Sequence, residues 1–128
     1  MIKYENHRGT VDFDQQVFGL IAMDTALRME EIHAVTNARG KIMRMKDSGR
    51  ESLNFIEVQE TGVENCIDLR MYIVIYFGKS ISESVNKLGE ALRRRIGEIT
   101  GMTVRDIYVN VTGVKSRKIA RRELEIKC

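Results

Sequence analysis

Apolar residues occupy every second position along one stretch of the chain, residues 66–77. The alternating positions are Ile67, Leu69, Met71, Ile73, Ile75 and Phe77. Successive side chains of a β-strand point to opposite faces, so these residues share one side of a sheet. At about 3.3 Å per residue such a strand is roughly 40 Å long, which exceeds most strands. The pattern therefore predicts a long central strand whose apolar side faces the core.

The segment after this strand, residues 80–101, has apolar residues at helical spacing. Residues 80–83 read Ser-Ile-Ser-Glu, a capping-box sequence in which the Ser80 hydroxyl caps the first turn and Glu83 reaches back. Gly101 suits the left-handed position that ends a helix. Between these signals one narrow apolar stripe contains Ile81, Val85, Leu88, Leu92, Ile96 and Ile99. The stripe predicts an amphipathic helix that lies with this side on the sheet.

The N-terminal part predicts an earlier strand and helix. Residues 1–8 are a loose or strand-like lead-in, and Gly9–Phe13 is a short edge strand. Asp12 or Asp14 then caps a helix that extends from about Gln15 to Met29. The apolar stripe of that helix contains Val17, Leu20, Ile21 and Leu27, flanked by Met23 and Ala26, with Asp24 at its edge.

The remaining segments complete one sheet. Residues 32–37 and 53–59 are β-compatible, and an irregular arm at about 38–52 separates them. Ile107, Val109 and Val111 face one way along a last strand that Gly113 ends. The element order β-α-β-β-β-α-β predicts an α+β fold, a two-layer sandwich of a mixed or antiparallel sheet with two helices on one face.

Composition limits the class of protein. The chain has 128 residues, 43% of them hydrophobic and 30% charged, which fits one soluble globular domain over residues 1–128. The longest apolar run, residues 71–77, is too short to cross a bilayer, and no secretion signal is visible at the N-terminus. We therefore expect a cytoplasmic protein without a membrane span of its own. Cys66 and Cys128 match no metal-ligand spacing and are expected to be reduced thiols.

Residues able to carry catalysis or hold a metal are hard to find in the sequence. His7 and His33 lie outside any zinc-binding spacing, and surface or edge positions explain them better. The sequence contains no nucleophile elbow, no Walker A loop and no glycine-rich dinucleotide motif. It therefore predicts a protein that is not an enzyme and needs no cofactor.

Basic side chains accumulate in the C-terminal half. The net charge is +3, and residues 61–128 hold 13 basic and 8 acidic side chains. Arg93 and Arg94 are expected to point outward from the helix, while the stem of Arg95 lies along the apolar stripe. A basic tail, residues 115–128, continues as either a strand or a helix. With the arginines, its residues Arg117, Lys118, Arg121 and Arg122 form a candidate phosphate-binding patch, so a nucleic-acid-binding module is one hypothesis.

The second face of the long strand carries Tyr72, Val74 and Tyr76, and Tyr108 lies on the same side of the last strand. These side chains are either cross-strand neighbours on a face that is open or covered by a partner, or platforms on which nucleic-acid bases stack. The glycine loop by which KH-type domains clamp RNA is absent. An exposed face with this many large apolar side chains favours self-association or a protein partner.

The order of several short motifs resembles the alkaline shock protein family, the envelope stress response proteins of Gram-positive bacteria. The matching positions are Gly9, Val11, Val17, Ile21, Ala22 and Ala26, then residues 67–69, 76–78, 80 and 81, and finally Thr100, Gly101, Val109, Asn110, Val111, Gly113 and Val114. The chain departs from the family at Glu31–Ile32, where Gly-Val is usual, in the 38–52 arm and in its short basic tail.

The resemblance implies a non-enzymatic cytoplasmic scaffold that maintains the cell envelope. It also implies that the protein forms homo-oligomers and binds a small membrane-anchor protein, which holds it at the cytoplasmic face of the membrane.

Overall fold

A computed structural model describes residues 2–43, 55–116 and 123–124, the last two by their backbone alone. It contains two helices, α1 (Gln15–Leu27) and α2 (Ile81–Thr100). The strands are β1 (Ile2–Asn6), β2 (Gly9–Phe13), β3 (Ile32–Thr36), β4 (Ile56–Glu60), β5 (Cys66–Tyr76), β6 (Thr103–Lys115) and β7 (Glu123–Leu124). The predicted α+β class is confirmed, and the structure adds β1 and β7 to the predicted order.

Strand β5 is the centre of the main sheet, as its length predicts. Strands β3 and β4 pair with it antiparallel, one after the other along the same edge. Strand β6 pairs with the other edge of β5 in parallel, and β7 pairs antiparallel with the end of β6. Strand β6 continues past Gly113 to Lys115, so the predicted end at Gly113 is wrong; the register shifts at this point instead.

One face of β5 forms the centre of the core. Ile67, Leu69, Met71, Ile73 and Ile75 are all buried there. Phe77 does not join them, because β5 ends at Tyr76 and the chain turns at Gly78, whose φ is +92°. Phe77 is 65% exposed, so its predicted place in the core is wrong.

Helix α2 has the predicted caps. The Ser80 hydroxyl accepts a hydrogen bond from the Glu83 amide, and Gly101 ends the helix with φ +81°. The buried line contains every fourth residue: Ser84, Leu88, Leu92, Ile96 and Thr100. Each step of four residues turns this line about 40° around the helix. By the last turn Thr100 faces the core, and Ile99, predicted in the stripe, is 55% exposed.

Helix α1 begins at Asp14, whose carboxylate accepts a hydrogen bond from the Gln16 amide. Its buried face differs from the predicted one and contains Phe18, Gly19, Ile21, Ala22, Thr25 and Ala26. Leu20 and Leu27 are exposed, at 39% and 50%. Apolar residues surround most of this helix, so their spacing alone did not identify the side that packs on β3, β4 and α2.

Strands β1 and β2 form a separate antiparallel hairpin. Asn65, in the turn before β5, joins it to the main sheet. Its side-chain amide donates to the carbonyl of Glu5 and accepts from the amide of Glu5, both at 2.8 Å. The lead-in predicted for residues 1–8 is therefore mostly ordered strand. Only the start of the predicted 38–52 arm is described; there Ile42 bridges to Thr36, and residues 44–52 lie outside the described residues.

Candidate functional site

The face of the sheet opposite the helices, here called the outer face, carries four of the predicted site residues, Tyr72, Val74, Tyr76 and Tyr108. Because side chains alternate along a strand, the burial of Ile67 to Ile75 on one side places their neighbours on the other. The register of β4, β5 and β6 then puts these side chains on the outer face: Glu57, Gln59, Asp68, Arg70, Tyr72, Val74, Tyr76, Tyr108 and Asn110. Neither helix packs on this face.

Tyr72, Val74 and Tyr76 form the aromatic part of the outer face. Val74 is only 7% exposed, whereas both tyrosines are half-buried. The Tyr76 hydroxyl lies 3.2 Å from Nδ1 of His33, and the two rings meet edge to face at 5.3 Å. Val74 therefore forms the floor between two tyrosine rings, and a binding partner would contact the rings rather than Val74.

Two threonine hydroxyls meet beside this aromatic part. Thr36 on β3 and Thr112 on β6 approach to 2.7 Å between their Oγ1 atoms, although β5 lies between their strands. Strands on either side of a third are about 10 Å apart in a flat sheet. The pairing of β5 shifts register at Ile32/Ala34 on β3 and at Ile73/Val74 along β6. These irregular pairings allow the two hydroxyls to meet over β5, where the Thr112 hydroxyl also donates to the carbonyl of Ile73.

The other end of the outer face is polar, and its charges are matched within the chain. The Arg70 guanidinium lies 5.0 Å from the centre of the Tyr108 ring and 3.8 Å from the Glu57 carboxylate. Asp68 accepts from the Arg105 guanidinium at 2.8 Å and from the Asp106 amide at 3.0 Å. The hydrogen bond from Arg105 lowers the pKa of Asp68. Tyr108 thus has an arginine over one face of its ring, which a base stacked on that face would have to displace.

Only part of the predicted basic patch, Arg93 and Arg94 on α2, lies within the described residues. Arg93 does not point freely outward, because its guanidinium donates to the carbonyls of Val104 and Arg105 at 3.2 and 2.8 Å. Arg95 binds Asp24 of α1 at 2.7 Å, which places Asp24 at the edge of its helix face as expected. Arg94 is exposed beside a cavity of about 400 Å³ between α1 and α2. Arg117, Lys118, Arg121 and Arg122 lie outside the described residues.

Glu31 forms a pair of adjacent carboxylates with Glu30, which the sequence predicts to be solvated, but Glu31 is not. Its Oε2 accepts from the Lys87 ammonium at 2.8 Å, and the side chain is largely buried. Among the described residues, no donor reaches its buried Oε1. The hydrogen bond from Lys87 lowers the pKa of Glu31 and raises the pKa of Lys87. Lys87 is 56 positions away in sequence, so only the folded chain brings the pair together.

The lowered pKa of Glu31 makes folding stability depend on pH. A carboxyl group whose pKa is lower in the folded chain stabilises the fold above its ordinary pKa of 4.5, and this contribution is lost as pH falls. We expect Glu31→Gln to reduce the loss of unfolding free energy between neutral pH and about pH 3, measured by urea unfolding. Glu90→Gln, at an exposed glutamate of α2, should keep the wild-type dependence. An unchanged pH slope in Glu31→Gln would contradict this role.

Other kinds of site have little support in the part of the chain that the structure describes. No group of three His, Cys, Asp or Glu side chains there is placed to hold a metal ion. None of the helices described is both long enough and apolar enough to cross a membrane.

Comparison with protein families decides the relationship. A family model described as having a cell envelope-related function, that of alkaline shock protein 23, matches residues 3–116. The chain belongs to the alkaline shock protein 23 family. The resemblance seen in the sequence motifs is thus confirmed, and the chain has a cell envelope-related function.

The chain was also compared with curated proteins and with solved structures. No curated protein matches the chain. Among solved structures, the copper form of the MamM CTD is similar at 13% identity, with a TM-score of 0.45, covering 84% of this chain and 91% of that chain. The zinc form of a single-substitution variant of the MamM CTD is similar at 12% identity, with a TM-score of 0.44, covering 87% and 96%.

Proposed function

We propose that this member of the family is a non-enzymatic scaffold protein. It acts in the cytoplasm, at the inner side of the membrane, through contacts with copies of itself and with protein partners. The observation that carries this proposal is the outer face around Tyr72, Val74 and Tyr76, which neither helix covers. The family's cell envelope-related function supports a role at the envelope.

The outer face has the chemistry of a protein-binding surface rather than a catalytic one. Tyrosine combines a large apolar ring with a polar hydroxyl and is enriched in protein interfaces. At the polar end, Asp68 is held by Arg105, which leaves a structural role for this carboxylate. A small membrane-anchor protein, which the family resemblance implies, is a candidate for one such partner.

Nucleic-acid binding receives less support from the same geometry. Arg93 donates to backbone carbonyls of β6, Arg95 is paired with Asp24, and Arg70 lies over the Tyr108 ring. A phosphate-binding surface would need these cations to face solvent together. A salt titration of RNA or DNA binding distinguishes the two functions, since phosphate binding weakens steeply with rising salt. We expect no binding even at low salt.

Self-association tests the proposal. We expect the wild-type chain to sediment as a concentration-dependent oligomer and a Tyr72→Glu, Tyr76→Glu variant to sediment with a clearly lower mass. Two carboxylates on the outer face would have to lose water in the interface without a matching charge, which is costly. Light scattering gives the mass independently of shape. Ile99→Glu, which places one carboxylate on an exposed apolar position of α2, away from this face, should still form the oligomer.

Two results would count against self-association through the outer face. If the wild type and the variant both have the monomer mass over the whole concentration range, the outer face does not mediate self-association. If Ile99→Glu is as disruptive as the tyrosine variant, the effect belongs to charge in general rather than to this face.

A further inference from the structure

Strand β6 has an edge that β5 does not cover. One edge of β6 pairs with β5 from Thr103 to Lys115. On the other edge, within the described part of the chain, only Val114 and Lys115 pair with a strand, namely β7. Among the described residues, no strand pairs with this edge from Asp106 to Asn110. Backbone groups of such an edge can pair with another strand.

The hydrogen bonds at the start of β6 show which backbone groups face this edge. The Asp106 amide donates to Asp68, which places that amide on the β5 side. Because backbone groups alternate between the two edges of a strand, the N–H and C=O groups of Ile107 and Val109 point to the open edge. Arg93 already binds the carbonyls of Val104 and Arg105 and so closes the edge before residue 106.

We propose that the open edge of β6 pairs antiparallel with the same edge of a second copy, around a two-fold axis at Tyr108. This register places Ile107 opposite Val109 of the second copy, and Val109 opposite its Ile107. Both residues then exchange their outward N–H and C=O groups, which gives two reciprocal pairs of backbone hydrogen bonds. Two-fold pairing makes each contact occur twice, as a symmetric dimer requires.

Neighbouring registers extend into backbone that is already hydrogen-bonded or irregular. An axis at Ile107 would pair Val109 with Arg105, whose carbonyl Arg93 already holds. An axis at Val109 would pair Ile107 with Val111, beside the register shift at Thr112. The axis at Tyr108 avoids both and uses every outward group between these limits.

The side chains in this register are also complementary. Ile107 and Val109 pack against the core but remain partly exposed at the edge, and the pairing would cover them. Tyr108 is 48% exposed and would lie beside Tyr108 of the second copy on the outer face. Directly opposite residues without hydrogen bonds between them have the closest side chains, which favours an aromatic pair. Asp106 would lie opposite Asn110, so no like charges meet.

This pairing deepens the proposed scaffold function and rests on it for the choice of a second copy as partner. The edge of β6 and the aromatic part of the outer face are different surfaces. Two distinct contact surfaces on one chain can link copies beyond a closed dimer, which is the property that a scaffold needs. The edge contact alone is small, and small interfaces are weak and transient.

Cysteine cross-linking tests the register directly. In a Cys128→Ser background, Tyr108→Cys places two thiols opposite each other across the axis. Asp106→Cys and Asn110→Cys do not face their own copies, but each faces the other. We expect Tyr108→Cys alone, and an equal mixture of Asp106→Cys with Asn110→Cys, to form disulfide dimers about tenfold faster than either of the latter variants alone. Buried Cys66 is common to all samples.

Two results would overturn the pairing. The first is Tyr108→Cys cross-linking no faster than Asn110→Cys alone. The second is a mixture that cross-links no faster than its separate components. Circular dichroism of each variant shows that it is folded before cross-linking is compared.

A charge-swap experiment keeps the proposal testable without disulfides. Tyr108→Lys and Tyr108→Glu each place like charges opposite each other, so each variant alone should lose the edge contact. Their mixture should recover it as a mixed dimer, detected by native mass spectrometry. Failure of the mixture to form mixed dimers more readily than the separate variants would contradict the pairing.

The two proposals fail in different ways. If the edge pairing is wrong but the outer-face contact is right, Tyr72→Glu, Tyr76→Glu still reduces the mass, while Tyr108→Cys does not cross-link selectively. If the outer-face contact is wrong, that tyrosine variant keeps the wild-type mass, and selective cross-linking through Tyr108→Cys still occurs.

Discussion

Replacing Leu92 with alanine should lower the free energy of unfolding by about 2–5 kcal/mol. Leu92 lies at the middle of the buried line of α2 and is fully buried against the sheet. Truncation removes apolar contacts and leaves a cavity that the surrounding core fills only in part. Urea unfolding monitored by circular dichroism measures the change. A loss of this size is a large share of the stability of a single domain.

The matched control for this prediction is Ile99→Ala in the same helix. Ile99 belongs to the apolar stripe of the sequence but is exposed in the structure, so its truncation should change the unfolding free energy by less than about 0.5 kcal/mol. Equal losses from Leu92→Ala and Ile99→Ala would mean that α2 buries the straight stripe rather than every fourth residue.

Phe18→Ala should have an effect of similar size, about 3–5 kcal/mol. Phe18 is fully buried between α1 and the sheet, and its ring packs edge to face against Phe13 at 5.6 Å between centroids. Truncation therefore removes a whole ring from the core and one aromatic contact with β2. Thermal and urea unfolding of the variant measure the loss.

Leu20→Ala is the control for Phe18→Ala, since both residues lie on α1 and both are large and apolar. Leu20 is partly exposed, so a clearly smaller loss is expected. A larger loss from Leu20→Ala than from Phe18→Ala would show that the face predicted from the sequence, rather than the observed one, packs on the sheet.

Local patterns in the sequence predicted the centre of this fold well. The alternation from Ile67 to Ile75 identifies β5 because a strand buried on one face repeats every second residue. Ser80 and Gly101 bound α2 because each satisfies a requirement of a helix end. Both patterns depend on residues that are close in sequence. The strand and the helix ends that they predict are therefore found in the folded chain.

Features that depend on distant residues were not predictable in the same way. The burial of Phe18 instead of Leu20 depends on how α1 packs, since its sequence offers apolar residues on several sides. The end of β5 before Phe77 depends on the turn at Gly78. The drift of the α2 contact line past Ile99 depends on how the helix crosses the sheet.

The same distinction between local patterns and contacts of distant residues applies to the candidate site. The alternation along β5 places Tyr72, Val74 and Tyr76 on one face, and the structure has them there. The partners of the charged residues were not visible, because Asp68 meets Arg105 and Arg93 meets β6 only after the strands pair. Three consecutive arginines, residues 93–95, suggest one basic patch in the sequence. In the structure, Arg93 binds carbonyls of β6 and Arg95 binds Asp24, so the three side chains point to different places.

The central claim is that the chain self-associates through its outer face. Fluorine NMR of the chain labelled with fluorotyrosine tests it most directly, because the four tyrosines lie on different surfaces. Tyr72 and Tyr76 lie on the outer face, Tyr108 lies beside the open edge of β6, and Tyr4 belongs to the β1–β2 hairpin. On dilution, the signals of Tyr72 and Tyr76 should shift as the interface is lost, while that of Tyr4 stays constant. Signals of Tyr72 and Tyr76 that do not change with concentration would contradict self-association through the outer face.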